Sequence, residues 1–352
     1  MTNDFSAIDS NFKVSPGGSH LEWYDACDLF ISGKGWSHDQ KHFRRLPDNA
    51  KDLVTPNVWK LSTYSAGLAV YFETTSGSLS VHWKLKEILK MKGATSTSAN
   101  GMDLYIIENG RWRFVTSCSG LELENNVEIM AFMDDRPKQY CLNLPLFSEP
   151  EYVRIGIDQG STIKKLNPFS RQPILFYGTS IVHGSAVCRP GMTYPAQISR
   201  TLGLPHINLG FSGNARMEIA IAHLLAEQNP SLYVIDPLPN MGPDLVKANA
   251  YPFLKYLLEK KRNVPVLMVS CIPYCSYGYI RSTTKTYNES NPQYKLVYEK
   301  LKEEGFDNLY YFNAENVLGD DYEGTLDGTH PSDLGFYRFA QSLLPTIKGL
   351  IK

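Results

Sequence analysis

Hydrophobic and polar residues alternate along the first half of the chain. From about residue 61 to residue 157, apolar side chains recur at every second position, which is the pattern of β-strands with one buried face and one solvated face. The positions assigned to buried faces are Leu68, Val70, Phe72, Leu79, Val81, Trp83, Leu85, Met102, Leu104, Ile106, Val127, Ile129, Ala131, Met133, Val153, Ile155 and Ile157. Turn-forming stretches such as TTSGS (74–78) and ENGR (108–111) separate these runs. The pattern predicts an all-β sandwich of antiparallel strands.

The pattern changes after DQGSTIKKLNPFSRQP (158–173), a stretch rich in polar and turn-forming residues. We place the domain boundary here, with one domain at residues 1–165 and the other at residues 166–352. Beyond it, the sequence predicts strands at residues 174–177, 206–209, 232–235, 266–269 and 309–312, and helices at residues 193–202, 217–227, 243–261, 292–304 and 332–348. Alternating strands and helices predict a parallel sheet covered on both faces, with functional groups at the carboxyl ends of its strands.

Length, composition and charge agree with this division and narrow the class of protein. The 352 residues are more than one hydrophobic core usually serves. With 43% hydrophobic and 20% charged residues, the chain has the composition of a globular protein. Its formal net charge of -1 provides no basic surface for nucleic acid or an anionic membrane, so we expect neither as a partner.

Cysteine spacing and hydropathy argue against a disulfide-rich, zinc-binding or membrane-spanning protein. The six cysteines form neither a dense disulfide framework nor a paired zinc-binding pattern, so we expect free, mostly buried thiols. No run approaches the roughly 20 apolar residues that a membrane span needs. Residues 1–12, MTNDFSAIDSNF, lack the basic and then apolar order of a signal peptide, but a mature exported chain would look the same.

A serine follows the first predicted strand of the second half, in ILFYGTSIVHG (174–184). Taken alone, Ser180 between a strand and a helix is most simply a turn or cap residue. The stretch lacks the G-x-S-x-G pattern of the α/β-hydrolase nucleophile elbow. A role as nucleophile therefore depends on partners elsewhere in the chain.

Those partners are present in DGTHPSDLGF (327–336), just before the last predicted helix. A serine hydroxyl needs a base to take its proton, and the base needs an acid that fixes its tautomer and stabilises its charged form. His330 and Asp327 lie three residues apart and can supply both. An isolated D-x-x-H is usually a solvated turn, but its place before the final helix favours a triad with Ser180. His183 is a rival base with no carboxylate near it in sequence.

Two further loops follow the second and third predicted strands. NLGFSGNARME (208–218) contains Gly213, whose backbone N–H can approach a substrate closely, and IDPLPNMGPD (235–244) contains Asn240, whose side chain carries an amide. Acyl transfer needs donors aimed at the oxygen that becomes negative. The N–H groups of Ser180 and Gly213 together with the Asn240 amide would provide three.

In the order in which they occur, FYGTSIVHG, NLGFSGNA, LPNM and DGTHPSDLGF resemble the four sequence blocks of the SGNH (GDSL-like) hydrolase superfamily. The positions that give the superfamily its name fall on Ser180, Gly213, Asn240 and His330. Asp327 completes the triad of the resemblance, which covers roughly residues 173–352. LPNM departs from the usual Gly-x-Asn-Asp of the third block, and Gly-Thr-Ser stands where the first block usually reads Gly-Asp-Ser.

The first half carries a narrower resemblance. GMDLYIIENGRWRFV (101–115) is similar to the Gly-x-Asp-Leu-Tyr segment of β-sandwich domains attached to a subgroup of these hydrolases. The pairing resembles carbohydrate esterases that remove acetyl groups from plant polysaccharides. It implies a flavodoxin-like three-layer α/β/α domain preceded by a jelly-roll-like sandwich, an acetylated carbohydrate or other small ester as substrate, and no metal or organic cofactor. It also favours a periplasmic or secreted location.

Two alternative functions stay open at this point. The chain could be a carbohydrate-binding protein whose hydrolase-like half is inactive, although Ser180, Asp327 and His330 are all present. It could also be a lipase or thioesterase, but the predicted loop at residues 276–291 is polar and does not suggest an apolar lid.

Some aromatic and charged residues are candidates for a substrate pocket. The residues in loops beyond strand ends that could wall it are Arg189, Tyr274, Tyr277 and Tyr279. Packing is the simpler interpretation of each. The five tryptophans all lie in the first half, yet Trp83 falls on a buried face, so their number assigns no sugar-binding site.

Overall fold

Two antiparallel sheets make up the N-terminal half of the protein. The structure is a computed structural model that describes residues 20–36 and 43–351. The strands of this half are β1 (Leu21–Asp25), β2 (Phe30–Ser32), β3 (Ala69–Thr74), β4 (Leu79–Leu85), β5 (Met102–Glu108), β6 (Arg111–Cys118), β7 (Glu124–Met130), β8 (Lys138–Asn143), β9 (Pro150–Asp158) and β10 (Ile163–Lys165). Two short helices accompany them, α1 (Pro56–Ser62) and α2 (Ser96–Asn100).

The strand order of these sheets is that of a jelly roll. One sheet has the order β1-β9-β4-β7, and the other has the order β10-β3-β8-β5-β6, with β2 also paired to β3. Each sheet thus combines strands that are distant in sequence, as two interleaved Greek keys require. The all-β sandwich predicted from the alternating pattern is confirmed.

The sandwich core lies between the two sheets. Trp83 of β4 is fully buried and donates its indole N–H to the carbonyl oxygen of Asn100 at 3.1 Å. The predicted faces of β3, β4 and β9 meet in this core, whose members include Val70, Phe72, Leu79, Val81, Val153, Ile155 and Ile157. Trp83 is therefore a core residue, and its indole does not form part of a surface for sugar stacking.

The C-terminal half is built on one parallel sheet. Its strands are β11 (Ile174–Gly178), β12 (His206–Gly210), β13 (Leu232–Asp236), β14 (Val266–Val269) and β15 (Leu309–Phe312), in the order β12-β11-β13-β14-β15. This is the flavodoxin-like order, which places functional groups at the carboxyl ends of the strands near the point where the order reverses. All five predicted strands are present. Residues 174–177 of β11 are fully buried, as expected for a strand covered on both faces.

Helices cover this sheet. They are α3 (Ser180–His183), α4 (Tyr194–Leu202), α5 (Ile219–Ala226), α6 (Pro243–Leu245), α7 (Tyr251–Lys260), α8 (Arg281–Lys285), α9 (Asn291–Glu303) and α10 (Asp333–Leu350). Helix α4 packs against α10, and α5 packs against α7. The predicted flavodoxin-like α/β domain is confirmed.

Two predicted segments differ from the structure in the same way. The helix predicted at residues 243–261 is interrupted by a π-turn at Val246–Ala250, and the polar loop predicted at residues 276–291 contains α8 and a second π-turn at Thr286–Ser290. Each π-turn comes just before a helix with a proline near its start, Pro252 or Pro292. Proline has no N–H for the regular i to i−4 bond, which explains why the α-helical ladder is broken there.

The hydrophobic core of the α/β domain continues into the N-terminal half. Trp36, Leu46, Tyr64 and Phe147 are buried in the same cluster as the central strands. The change from antiparallel to parallel sheets falls between β10 and β11, and the boundary at residues 165 and 166 stays a prediction. Residues 1–12, where no signal peptide is predicted, lie outside the described residues. Among the residues described, no helix has the length and apolar character needed to cross a bilayer.

Candidate active site

The turn after β11 presents Ser180 at the carboxyl edge of the sheet. Thr179 caps α3, because its Oγ1 accepts the backbone N–H two residues further on at 3.2 Å. At Gly178, a Cβ atom would come within 2.4 Å of the carbonyl oxygen of Asp236 on the neighbouring strand. A glycine is therefore required where the strand ends, and the chain passes directly from strand to helix at Ser180.

A second turn, at residues 325–331, brings Asp327 and His330 together. One carboxylate oxygen of Asp327, Oδ1, accepts the backbone N–H groups of Thr329 at 3.0 Å and His330 at 2.8 Å. The other, Oδ2, lies 2.8 Å from Nδ1 of the His330 ring. The same side chain therefore shapes the turn and binds the imidazole.

The two turns meet although they are 150 residues apart in the sequence. Ser180 Oγ lies 2.9 Å from Nε2 of His330. A carboxylate accepts hydrogen bonds, so Nδ1 carries the proton that it donates to Asp327, and Nε2 is left with a lone pair facing the serine hydroxyl. In this arrangement a histidine can take a proton from serine while the aspartate stabilises the imidazolium that forms.

The acid of this trio is held in its charged form. Partial burial by itself raises the pKa of Asp327, but the hydrogen bonds from the backbone and ring of His330 outweigh it and hold the pKa below its usual value. The side chains of His330 and Asp327 are 30% and 43% exposed, respectively. Water therefore reaches the site directly.

His183, the rival base, lies elsewhere. Its side chain is fully buried, with Nε2 2.7 Å from the carbonyl oxygen of Leu146 and the ring stacked on Phe147. Burial, reinforced by the positive charge of Arg45, holds the pKa of His183 well below its usual value. The structure therefore places His330, rather than His183, against Ser180.

Hydrogen bonds connect the loops that carry Gly213 and Asn240. Gly213 is exposed, has a φ of +71°, and has open space around the position of a Cβ atom. Asn240 accepts the backbone N–H of Ala215 at 3.2 Å through Oδ1, which leaves its Nδ2 group to donate elsewhere. The N–H of Phe211 binds the carbonyl oxygen of Gly178, so the Gly213 loop is also tied to the strand that precedes Ser180.

The four residues considered as pocket walls have different surroundings. Arg189 binds Asp103 of β5 at 2.7 Å, and Tyr274 is buried beside Cys271. Both side chains are therefore engaged in packing within the protein. Tyr277 and Tyr279 are 40% and 92% exposed. They belong to a loop that contacts the turn of Asp327 and His330, because the N–H of Ser276 donates to the carbonyl oxygen of Gly328 at 3.1 Å.

Sequence reasoning missed several polar residues near these loops. Arg45 is buried and binds backbone carbonyls of β12, and Asp236 is buried at the end of β13, where the hydroxyl of Tyr194 donates to it at 3.1 Å. Nothing in the local sequence distinguishes them. Asp103 had a signal, since it is the aspartate of the Gly-x-Asp-Leu-Tyr segment. In residues 20–36 and 43–351, no group of three or more His, Cys, Asp or Glu side chains is placed to hold a metal ion.

The fold and the arrangement of this site are those of a hydrolase of the GDSL type, and comparison with known proteins supports this class. The family described as GDSL-like lipase/acylhydrolase matches residues 171–348, and the family described as the N-terminus of SGNH-hydrolase-type esterases matches residues 21–163. The chain belongs to the GDSL-like lipase/acylhydrolase family and is an ester hydrolase. No curated protein matches its sequence.

Several solved structures are similar to this one. A protein described as a GDSL-like lipase from Bacteroides ovatus has 31% sequence identity and a TM-score of 0.91, over 94% of this chain and 99% of that one. A salicylyl-acyltransferase from a tetracycline biosynthetic pathway has 20% identity and a TM-score of 0.77, over 95% and 98% of the two chains. An acetyl xylan esterase from the rumen bacterium Butyrivibrio proteoclasticus has 14% identity and a TM-score of 0.57, over 94% and 98%. The last two show likeness of fold.

Proposed function

We propose that the protein hydrolyses short-chain acyl esters, chiefly O-acetyl groups on plant polysaccharides or oligosaccharides, with Ser180, His330 and Asp327 as a catalytic triad. The observation that carries this proposal is the 2.9 Å contact between Ser180 Oγ and His330 Nε2, with Asp327 on the other ring nitrogen. The proposal assigns the triad to a C-terminal catalytic domain (166–352) that follows a sandwich domain (1–165).

In the proposed first half-reaction, Ser180 Oγ attacks the acyl carbonyl carbon while its proton passes to His330 Nε2. Asp327 stabilises the resulting imidazolium. The oxygen that becomes negative accepts hydrogen bonds from the N–H groups of Ser180 and Gly213 and from Nδ2 of Asn240. When the tetrahedral intermediate collapses, His330 returns the proton to the alcohol oxygen of the leaving sugar, and the acyl group remains on Ser180.

In the second half-reaction, water replaces the sugar. His330 takes a proton from the water as it attacks the acyl-enzyme, and the acid is released with the Ser180 hydroxyl restored. The partial exposure of His330 and Asp327 supports hydrolysis, because water has direct access to the base. Transfer of the acyl group to another alcohol would instead require water to be excluded.

Support for a sugar substrate comes from the surroundings of the turn that carries Asp327 and His330. Tyr277 and Tyr279 are exposed on the loop that binds Gly328, beside His330. Aromatic rings offer large, flat apolar surfaces on which sugar rings can lie. The fold is also shared with the acetyl xylan esterase described above, although this likeness by itself assigns no substrate.

The test is acetate release from acetylated xylan and acetylated glucomannan, together with hydrolysis of 4-nitrophenyl esters of increasing chain length. Wild type, Ser180→Ala and Ser231→Ala are compared. Ser231 is a matched control because its hydroxyl binds Pro173 at the opposite end of the sheet, 3.1 Å from the carbonyl oxygen. We expect release by wild type and Ser231→Ala, loss of it in Ser180→Ala, and a decline in rate beyond short acyl chains.

Three outcomes would contradict the proposal. Equal rates in wild type and Ser180→Ala would exclude Ser180 as the nucleophile. Rates that rise with acyl chain length would favour a lipase or thioesterase. Sugar binding without any ester cleavage by wild type would favour a carbohydrate-binding protein with an inactive hydrolase-like half.

A further inference from the structure

Arg45 connects the N-terminal half to the parallel sheet by binding backbone carbonyl oxygens on both sides. The guanidinium is buried, and it donates to the carbonyl oxygens of Leu61 at 2.6 Å and Tyr64 at 2.9 Å in the N-terminal half. Its Nη1 donates to the carbonyl oxygens of Asn208 at 3.0 Å and Gly210 at 2.8 Å in β12. Burial lowers the pKa of Arg45 to about 9, which leaves the guanidinium charged at neutral pH.

These contacts provide hydrogen-bond partners for the end of an edge strand. β12 has β11 on one side, and within the part of the chain that the structure describes no strand pairs with its other side. An edge strand leaves one row of backbone groups without ladder partners. Here Arg45 binds two of the carbonyls, while the side chain of Asn208 accepts the N–H of Gly210 at 2.9 Å and donates to the carbonyl oxygen of Val182 at 2.7 Å.

The strand end held in this way leads directly into the loop of Gly213. Arg45 also lies over the ring of Phe211, the first residue after β12, with 5.2 Å between its guanidinium carbon and the ring centroid. Two residues later comes Gly213, whose φ of +71° sets the direction of the chain. A shift of β12 would therefore move the Gly213 N–H.

His183 makes a second connection to the same loop. Because a carbonyl oxygen only accepts, Nε2 carries the proton that it donates to Leu146 at 2.7 Å. Nδ1 then accepts a hydrogen bond from the hydroxyl of Ser212, whose Oγ lies 3.2 Å away. Ser212 directly precedes Gly213. The low pKa of His183 keeps the ring neutral, so it retains this pair of roles.

We propose that Arg45 and His183 are positioning residues through which the N-terminal half fixes the Gly213 loop in the geometry that stabilises the oxyanion. The sandwich side of the molecule would then be required for turnover itself, in addition to any contact it makes with substrate. The expected change in kcat rests on the proposed function. The expected change in the mobility of the Gly213 loop does not depend on it.

The test uses two variants and one control. Arg45→Lys keeps the positive charge but loses the planar fork that reaches both halves. Ser212→Ala removes the hydroxyl that binds His183 and leaves the buried residues intact. The control is Trp36→Phe, which removes another hydrogen bond between the two halves, from Nε1 to Glu227 Oε2 at 2.6 Å, away from the loop.

The first measurement is turnover of 4-nitrophenyl acetate. In Arg45→Lys we expect kcat to fall by about 100-fold, the loss that a displacement of about 1 Å can cause, with KM changed less than about twofold. In Ser212→Ala we expect a loss of about 5- to 10-fold, because one neutral hydrogen bond is removed. Trp36→Phe should keep the kcat of wild type. A residue that only stabilised the fold would lower the active fraction in proportion to unfolding.

The second measurement is amide hydrogen exchange in peptides that cover residues 208–216, which does not depend on activity. We expect exchange about 10-fold faster in Arg45→Lys, about 5-fold faster in Ser212→Ala and unchanged in Trp36→Phe. If folded Arg45→Lys and Ser212→Ala both exchange and turn over like wild type, the inference is wrong. If Arg45→Lys does not fold, Ser212→Ala decides by the same criteria. If wild type cleaves no ester, the proposed function fails, and the exchange data alone decide the inference.

Discussion

The carboxylate of Asp103 in β5 lies 2.7 Å from the guanidinium of Arg189, which follows α3 in the α/β domain. Asp103 is fully buried and also accepts the backbone N–H of Gly191 at 2.9 Å. Arg189 lies over the ring of Phe114 and hydrogen-bonds to the hydroxyl of Tyr105. The Gly-x-Asp-Leu-Tyr segment is therefore a docking element that holds the sandwich on the α/β domain.

Asp103→Asn should destabilise the protein. The change preserves the shape of the side chain but leaves the largely buried Arg189 without its counter-charge, and breaking such a pair costs about 3 kcal/mol. Urea unfolding measures the effect. Glu108→Gln is the control, since the Glu108–Arg113 pair is exposed and should contribute less than about 1 kcal/mol. Equal changes in the two variants would show that the buried pair is not stabilising.

Asp327→Asn should abolish most activity while leaving the turn intact. The asparagine oxygen can still accept the N–H groups of Thr329 and His330, but an amide NH₂ now faces Nδ1 of His330 and favours the wrong tautomer. We expect kcat for 4-nitrophenyl acetate to fall by about 10⁴-fold. The exposed Asp320 provides the control, because Asp320→Asn should stay within about twofold of wild type. A drop of less than about tenfold in Asp327→Asn would argue against its role in the triad.

Two substitutions at Asn240 should separate its two hydrogen-bonding roles. Asn240→Asp keeps an acceptor for the N–H of Ala215 but replaces the donor with a negative charge. Asn240→Ala removes both. If Nδ2 helps to stabilise the oxyanion, each variant should lose about 100- to 1000-fold in kcat, with the larger loss in Asn240→Asp. Asn229→Ala serves as the control, since Asn229 is exposed and accepts a hydrogen bond from Lys261 at 2.6 Å, before the amino end of β13. Retention of activity in Asn240→Asp would leave two backbone donors as the oxyanion hole.

Asp236 should make stability depend on pH. Burial raises the pKa of its carboxyl to about 8 in the folded protein, against 3.8 as the ordinary value, and the hydrogen bond from Tyr194 only partly opposes this. Between these values the unfolded chain releases a proton that the folded protein keeps, so the free energy of unfolding falls as pH rises from 4 to 8. Asp236→Asn cannot titrate and should show a smaller fall between pH 5 and pH 8 in urea unfolding. Identical pH dependence in both proteins would contradict the raised pKa.

The parts of the fold that could be predicted are those that follow from the spacing of apolar residues along the sequence. The strands at residues 266–269 and 309–312 are found as predicted, because continuous apolar runs bounded by turns are typical of buried parallel strands. The helical segment before Pro292 was predicted as a loop, since its residues are polar. In the structure its last residue, Ser290, donates its hydroxyl to the carbonyl oxygen of Met241 at 2.8 Å, a contact between segments distant in sequence. Polar composition alone does not distinguish a loop from an exposed helical turn.

The sequence by itself determined the two halves, the order of the five parallel strands and helices along the chain, and the candidate residues Ser180, Asp327 and His330. These follow from periodicity and from short motifs, both of which are properties of neighbouring residues. Tertiary structure decided that His330 rather than His183 faces Ser180, that Arg45 closes the end of β12, and that Asp103 binds Arg189. Each of these contacts satisfies a backbone or charged group that would otherwise be buried without a partner when distant segments pack together. The pattern of neighbouring residues does not show which groups those are.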